Sequence, residues 1–486
     1  MYEVAIILSL VTFVGVCWAF VLQPSFSIFH PLTFYAAFHG LVFVFRPIVA
    51  YFGEYDMIYA LYQFMPSASD KLTVILASNL GFVTFAFFAM RAGNAPMVFK
   101  TDGARLEERR LLRTTLPYLI PFALIGIYSL LTALEQSATG QGLANMRMME
   151  NGVRVNTSGN GYITDAKLLL VPICGLLAWF YRFKWYSLLP LVAFFILKAS
   201  TGGRGPFVVA VAIAGLFYLY EKRSLFPATK LVAAAAAMLV FFSAVGEDRG
   251  LAIREALGVQ EVEVQATPSA WTSEEGRFLE GMDFANMEYF EYLVYVVPQR
   301  SGTFDYFLAN LQILTEPIPR VLWPGKPAGA PIQPVQLWEF GSPIGMTASL
   351  PGIGWYELGW VGVVVWCGLW GWLAGKFYNR FATGPQDTIS VAIYLVSIPI
   401  LLIAYRDGVL LTIIKLGAFY IIPVLLIAFL RSAFKIPTLA EIAAGSGRLD
   451  DEARRLWSNL TPAQRRRNKA LEWKNRSERD RSPLQG

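Results

Sequence analysis

The feature that most limits this fold is a succession of apolar runs separated by short polar turns. Several runs approach or exceed the roughly 20 residues that an α-helix needs to cross a bilayer core about 30 Å thick. Eleven are read, at 3–22, 32–52, 71–90, 115–134, 166–181, 186–199, 207–220, 229–245, 352–375, 388–404 and 408–430. They are continuous and do not alternate, which argues against a β-barrel. Only 16% of the residues are charged, where a soluble domain carries about a quarter. The expectation is an all-α, polytopic membrane helix bundle.

The net charge of +6 invites a nucleic-acid reading, but its distribution argues otherwise. Positive residues gather in the 91–113 loop (Arg91, Lys100, Arg105, Arg109, Arg110 and Arg113). They recur beside Arg182 and Lys184, Lys222 and Arg223, Lys376 and Arg380, and in the tail after Arg431. In an eleven-span arrangement all five lie on one side, which the positive-inside rule makes the cytoplasm. The first run has no basic region before it and no small-residue cleavage site after it, so it is read as a retained helix. Cys17, Cys174 and Cys367 all fall in apolar runs and imply neither a disulfide framework nor a metal cluster. The chain divides into N-terminal spans (1–246), one large outward loop (247–351), C-terminal spans (352–431) and a basic tail (432–486). The tail is read as solvated and resting on anionic lipid, with short helices at 450–456 and 461–474.

The candidate chemistry lies at the outward rim. Gly202-Gly203-Arg204-Gly205 joins two spans of only about fourteen residues, so the turn is expected to dip toward the membrane. An arginine there either lines a wet cavity or snorkels from a tight hairpin. Arg406-Asp407-Gly408 is a second sharp turn on the same side, where the two charges either pair or aim the arginine inward. The loop holds fourteen Asp and Glu residues along with Arg249, Arg300, Arg320 and Lys326. Amphipathic helices are expected at 283–297 and 303–315, lying along the membrane or capping the bundle. Prolines 317, 319, 324 and 327 are expected to hold Arg320 and Lys326 rigidly.

Outward cations suit a diphosphate leaving group, because arginine stays charged and forks onto phosphate oxygens as negative charge grows. A base must then take a proton from an acceptor hydroxyl. Glu247, Asp248, Glu288, Glu291, Glu357 and Asp407 are all placed for it, and spacing does not separate them. The histidines are His30 and His39, away from the outward loop. That argues against an outward Ser-His-Asp triad or His-based metal site. No Walker-type phosphate loop is present either.

Three blocks in order resemble the bacterial O-antigen polymerases, the Wzy-type polymerases of oligosaccharide repeat units. They are Gly202–Gly205 opening a helix, Pro298-Gln299-Arg300-Ser301-Gly302-Thr303-Phe304 followed by Ile318–Pro327, and the return Gly352–Gly362 into the next span. The large late loop fits the same pattern over nearly the whole chain. The resemblance implies a GT-C-like bundle in the bacterial inner membrane whose loop is periplasmic. It implies a glycosyltransferase that moves a growing glycan from a polyprenyl-diphosphate carrier onto the non-reducing end of another lipid-linked repeat unit. It also implies no cofactor, no metal and no nucleotide sugar. The partners implied are the lipid-linked oligosaccharide and membrane lipid, with a chain-length regulator and a flippase, and no nucleic acid. The catalytic candidates are Arg204, Arg320, Arg406, Glu357 and Asp248, and the substrate-binding candidates are Arg300, Lys326, Gly203 and Arg249. Two alternatives stand beside this reading. One is an O-antigen ligase-like transfer to a different acceptor, against which the histidine-free loop counts. The other is a lipid-linked oligosaccharide transporter, against which the lack of internal repeats counts.

Overall fold

The computed structural model describes residues 2–100, 103–139, 149–150, 153–154, 161–199, 205–227, 229, 279–280, 284–319, 322–323, 325–341 and 346–445. Regular structure among them is helical, apart from a two-residue antiparallel ladder pairing Met149–Glu150 with Val153–Arg154. Eight helical stretches are long and apolar enough to cross a membrane. The first six elements are α1 (Tyr2–Val21), α2 (Pro31–Gly53), a short α3 (Met57–Tyr62), α4 (Ala68–Ala92), α5 (Gly103–Leu112) and α6 (Ile120–Thr139). Next come α7 (Leu170–Phe180), the two shorter apolar helices α8 (Leu189–Ala199) and α9 (Gly205–Glu221), and α10 (Asn286–Val296). The last three are α11 (Leu350–Thr383), α12 (Thr388–Asp407) and α13 (Leu410–Ala433). The helices at 2–92 and 388–433 thus match the expected spans to within about three residues, while α11 runs eight residues past the expected end at 375. The expected span at 229–245 and the helices of the tail lie outside the described residues.

The centre of the bundle is the pairing of α4 with α11. Ser67 and Asp70 begin α4 with a capping box, in which Ser67 Oγ accepts from the Asp70 N–H and Asp70 accepts from the Ser67 N–H. On α11, glycines at 368, 371 and 375 form a smooth strip against α4. A Cβ at Gly371 would sit 2.5 Å from the Phe85 carbonyl oxygen, so only glycine lets the two backbones approach this closely. Apolar tails offer no hydrophobic drive for helix association inside a bilayer, and this close backbone packing takes its place. α1 lies outside this pair, with Val4, Ile7, Val11, Val14 and Trp18 largely exposed, as suits a lipid-facing helix.

Polar locks close both ends of the bundle. At the end where α11 finishes and α12 begins, Glu108 is fully buried. It accepts from the Thr388 N–H (2.9 Å) and hydroxyl (2.8 Å) and pairs with Arg431 (2.9 Å). At the opposite end the Arg46 guanidinium, 1% exposed, pairs with Glu288 of α10 and donates through Nε to the Leu279 carbonyl.

Two expectations for the loop change. The segment expected as an amphipathic helix at 283–297 is α10, but it does not lie along a surface. Met287, Glu288, Phe290, Glu291, Tyr292, Leu293, Val294 and Val296 are all buried, so it fills the bundle. The helix expected at 303–315 is broken. Tyr306 and Phe307 take positive φ, and only short turns form at Leu308–Leu311 and Gln312–Thr315. The cause is tertiary, since the backbone N–H groups of Asp305 and Tyr306 are drawn to carbonyls of α11.

The glycine strip yields a stability prediction. Gly371→Ala should destabilise the detergent-solubilised protein by about 1–3 kcal/mol, because the clash is with backbone and cannot be relieved by a side-chain rotation. Gly215→Ala on α9, where the added methyl meets nothing within 4 Å, should be neutral or slightly stabilising. Thermal unfolding of the two purified variants checks the contrast; equal midpoints would refute it.

Candidate active site

The site is built on a break in α11. Leu358 (φ −159°, ψ 34°) and Gly359 (φ 58°, ψ −139°) leave helical geometry and divide the helix into 350–357 and 360–383. The backbone at 359 has the positive φ that glycine adopts without strain, and the Phe304 ring lies 3.0 Å from where a Cβ would be. The break frees the carbonyls of Tyr356 and Glu357. They accept from the Asp305 N–H (3.1 Å) and the Tyr306 N–H (2.9 Å), which binds the 303–311 segment across the kink.

This stitching brings two carboxyls together. Asp305 is fully buried and Glu357 is 2% exposed. Asp305 accepts from the Ala309 N–H (2.7 Å) and the Tyr356 hydroxyl (3.3 Å), and Glu357 Oε1 accepts from Asn310 Nδ2 (2.8 Å). Glu357 Oε2 meets no N–H or hydroxyl donor among the described residues. The two carboxyls lie close enough to act on each other electrostatically. Burial pushes the Asp305 carboxyl above the usual carboxylate range.

Glu357 and Asp407 line one cavity of about 230 Å³, together with Asn310, Gln312, Tyr289 and Tyr356. Thr347 and a set of apolar residues, among them Leu293, Leu337, Met346, Ile353 and Val409, make up much of the rest of its wall. The turn bearing Asp407 is held by the Arg406 carbonyl, which accepts from the Ser349 N–H (2.9 Å) and from Asn286 Nδ2 (2.9 Å). The Thr412 hydroxyl donates to Asp407, and the Arg406 charge acts on that carboxyl. The result is a largely apolar hollow carrying two carboxyls, Glu357 and Asp407, at the end of the bundle where α11 begins and α12 ends. It combines a carboxyl pair able to take up a proton with amide and hydroxyl groups able to orient a polyol.

The sequence-selected residues separate as follows. Glu357 and Asp407 come together, and Arg406 sits in the turn beside them. Arg300 is exposed in the turn after α10 and folds back onto that helix, with its guanidinium over the Tyr295 ring and bonded to the Tyr295 carbonyl. Lys326 has its ammonium on the Glu316 and Ile318 carbonyls (3.0 and 3.2 Å) and near the Glu316 carboxylate, so it staples the proline-rich turn. Glu288 is taken by Arg46, and Glu291 accepts from the Tyr59 hydroxyl (2.5 Å). Arg204, Gly203, Asp248, Arg249, Arg320 and Glu247 lie outside the described residues. Gly205 opens α9, whose other end, Glu221, lies at the basic end of the bundle. Seventeen residues of helix, about 25 Å, therefore set Gly205 toward the cavity's end.

Sequence reasoning did not single out Asp305, Asn310 or Arg46. For Arg46 a signal was available, a lone arginine inside the apolar run 32–52. For Asp305 and Asn310 none was, since their role depends on the break in α11. The two histidines are structural. His30 caps α2 by accepting from the Leu32 N–H and bonds the Gly93 carbonyl through Nε2, while His39 stacks on Phe82.

No protein-family model matches the chain, and no curated protein or solved structure matches it either.

The Arg46 lock generates a pH prediction. Burial, and then the charge of Glu288, push the Glu291 carboxyl up to about 7 from the ordinary glutamate value of 4.5. A raised folded-state value means its contribution to stability is full below about 4.5 and is lost as pH rises through about 7. The wild type should therefore lose stability between pH 5 and pH 8, on the order of 1–3 kcal/mol. Glu291→Gln should flatten that slope while keeping a partner for Tyr59. Thermal midpoints of both proteins across this range are the check, and parallel profiles would refute it.

Proposed function

We propose that this chain is a membrane glycosyltransferase that extends a lipid-linked glycan, working as a polymerase of oligosaccharide repeat units. The observation that carries the reading is the Glu357 carboxyl in the wall of a cavity, with the buried Asp305 carboxyl near it and the Asp407 turn beside it. The acceptor is a sugar hydroxyl, a weak nucleophile that needs a base within hydrogen-bond reach. A carboxylate meets that need, and Glu357 in the cavity wall offers one. Asn310 and Tyr356 fix the two side chains so that the base does not wander.

In the proposed reaction the acceptor oxygen bonds to the donor's anomeric carbon. The bond from that carbon to the diphosphate breaks, and the electron pair leaves with the polyprenyl diphosphate. The acceptor's proton passes to the carboxyl pair. Negative charge grows on the departing diphosphate, and arginines answer it: Arg406 at the cavity's turn, with Arg204 and Arg320 assigned from sequence. Among the described residues the cavity wall holds no Lys or Arg. This reading therefore divides the labour, with carboxyls serving the acceptor and the rim arginines serving the leaving group. The outward face is taken as periplasmic, because the basic loops mark the other side as cytoplasmic.

The test is to incubate purified protein with a lipid-linked repeat unit and follow product mass. Growth by whole repeat units with release of polyprenyl diphosphate is expected without added nucleotide. Glu357→Gln and Asp305→Asn should each lower kcat by about 10²–10⁴-fold while preserving the thermal midpoint to within a few degrees. No growth by well-folded wild type on its cognate substrate, or full activity of both variants, would reject the proposal.

A further inference from the structure

Two lysines stand in apolar helices at the outward end of the bundle, where an ionised side chain is costly unless a partner or a ligand answers it. Lys167 lies near the start of the stretch Tyr162–Phe180, and Lys415 lies in the second turn of α13. The far end of α13 carries Arg431, which is locked to Glu108 at the basic end, so Lys415 belongs to the opposite end.

This corner adjoins the cavity that holds Glu357. Leu411 lines the cavity, and Lys415 follows it by four residues, one turn along the same face of α13. A second tie comes from the loop. Gln312 lines the cavity, Glu316 follows one turn later, and the Glu316 carbonyl accepts from the Tyr162 hydroxyl (3.0 Å). The Glu316 carboxylate itself is engaged by Lys326 (3.5 Å).

One carboxylate serves both lysines. Asp165 pairs with Lys415 (2.6 Å) and acts electrostatically on Lys167. Lys167 is half-buried, and its ammonium bonds no group among the described residues. An ammonium has three donors and no acceptor, so those donors stand open. Asp165 offsets one of the two charges and leaves the other standing. Apolar surface lies alongside: Ile414 directly precedes Lys415, Ile163 is two residues before Asp165, and each is 46% exposed. An anionic head on the lysines would leave a hydrocarbon chain free to run past these side chains into lipid.

We infer that Lys167 and Lys415 hold the diphosphate of the prenyl-linked donor beside the carboxyl cavity. The assignment rests on the transferase reading and supplies the cations that the described cavity wall lacks. Lysine meets a diphosphate as a compact charge with rotatable donors, and Asp165 holds Lys415 in place for it. A prenyl diphosphate and a soluble diphosphate share this chemistry, and the experiment separates them.

Delipidated protein in a neutral detergent is titrated with farnesyl diphosphate, farnesol, phosphatidylglycerol and inorganic pyrophosphate. Ligand retention in native mass spectrometry is read beside the thermal midpoint. Farnesyl diphosphate should bind at one per chain and raise the midpoint, while farnesol and phosphatidylglycerol bind about tenfold more weakly or worse. Lys167→Gln should weaken farnesyl diphosphate by about tenfold or more with an unchanged ligand-free midpoint, and Lys167→Arg should restore binding. Lys415→Gln should weaken it too, whereas Lys415→Arg, which keeps the Asp165 pair, should not. Lys376→Gln removes a cation at the basic end and should bind as wild type does. Pyrophosphate binding as tightly as farnesyl diphosphate would support the site and assign it to a soluble diphosphate. The inference is overturned if wild type retains no farnesyl diphosphate, or if farnesol or phosphatidylglycerol matches it. Normal binding by Lys167→Gln or Lys415→Gln, or an equal loss in Lys376→Gln, overturns it as well. Binding is read without turnover, so a diphosphate site found in a protein that adds no repeat units would count against the polymerase reading alone.

Discussion

A backbone carbonyl within a membrane bundle must find a donor, and the break in α11 turns on that requirement. Where the helix stops at Leu358 and Gly359, two carbonyls lose their partners in the next turn. The loop donates to them through Asp305 and Tyr306. The same stitch that satisfies the backbone carries the Asp305 side chain to Glu357. Placement of the carboxyl pair is therefore a by-product of hydrogen-bond completion, and it would not survive a straight α11. The break in turn needs a firm support, which the close α4–α11 contact supplies below it.

The two ends of the bundle use buried charge in different ways. Arg46–Glu288 and Glu108–Arg431 are compensated pairs with further hydrogen bonds, the condition under which buried ions are tolerated. They fasten distant segments: α10 to α2 in one case, α5 and the start of α12 to α13 in the other. Among the described residues the Asp305–Glu357 pair forms no ion pair with a cation, and its partners are the Ala309 N–H, the Tyr356 hydroxyl and the Asn310 amide. It is the less settled arrangement, and uncompensated buried groups of this kind are where proton chemistry is usually found.

Much of the architecture was legible in the sequence because apolar length reports directly on spanning helices. The run at 388–404 corresponds to α12 with a small shift at its end, and the run at 352–375 to α11, which continues two turns further to Thr383. The glycines of 352–362 were visible as a pattern, yet periodicity says nothing about where a helix will break. The 303–315 segment shows the limit most clearly. Phe304, Phe307, Leu308 and Leu311 have helical spacing, but hydrogen bonds from a segment some fifty residues away override it. Glu357 and Asp407 could be selected as outward carboxylates, while their shared cavity could not. Lys326 has the composition of a ligand-binding cation and the geometry of a staple, a difference only coordinates express.

The glycine strip also bears on how the chain is made. α4 ends at Ala92 and its partner α11 begins at Leu350, about 260 residues later. At 5–20 residues per second, the α4 groove leaves the ribosome roughly 10–50 s before the surface that fills it. Throughout that interval its small-residue face is open to lipid or to whatever holds nascent helices in the membrane. The carboxyl cavity, composed of residues on both sides of α11's first turns, is among the last features that can assemble. A chain interrupted before α12 would already hold most of its spans and none of its completed site.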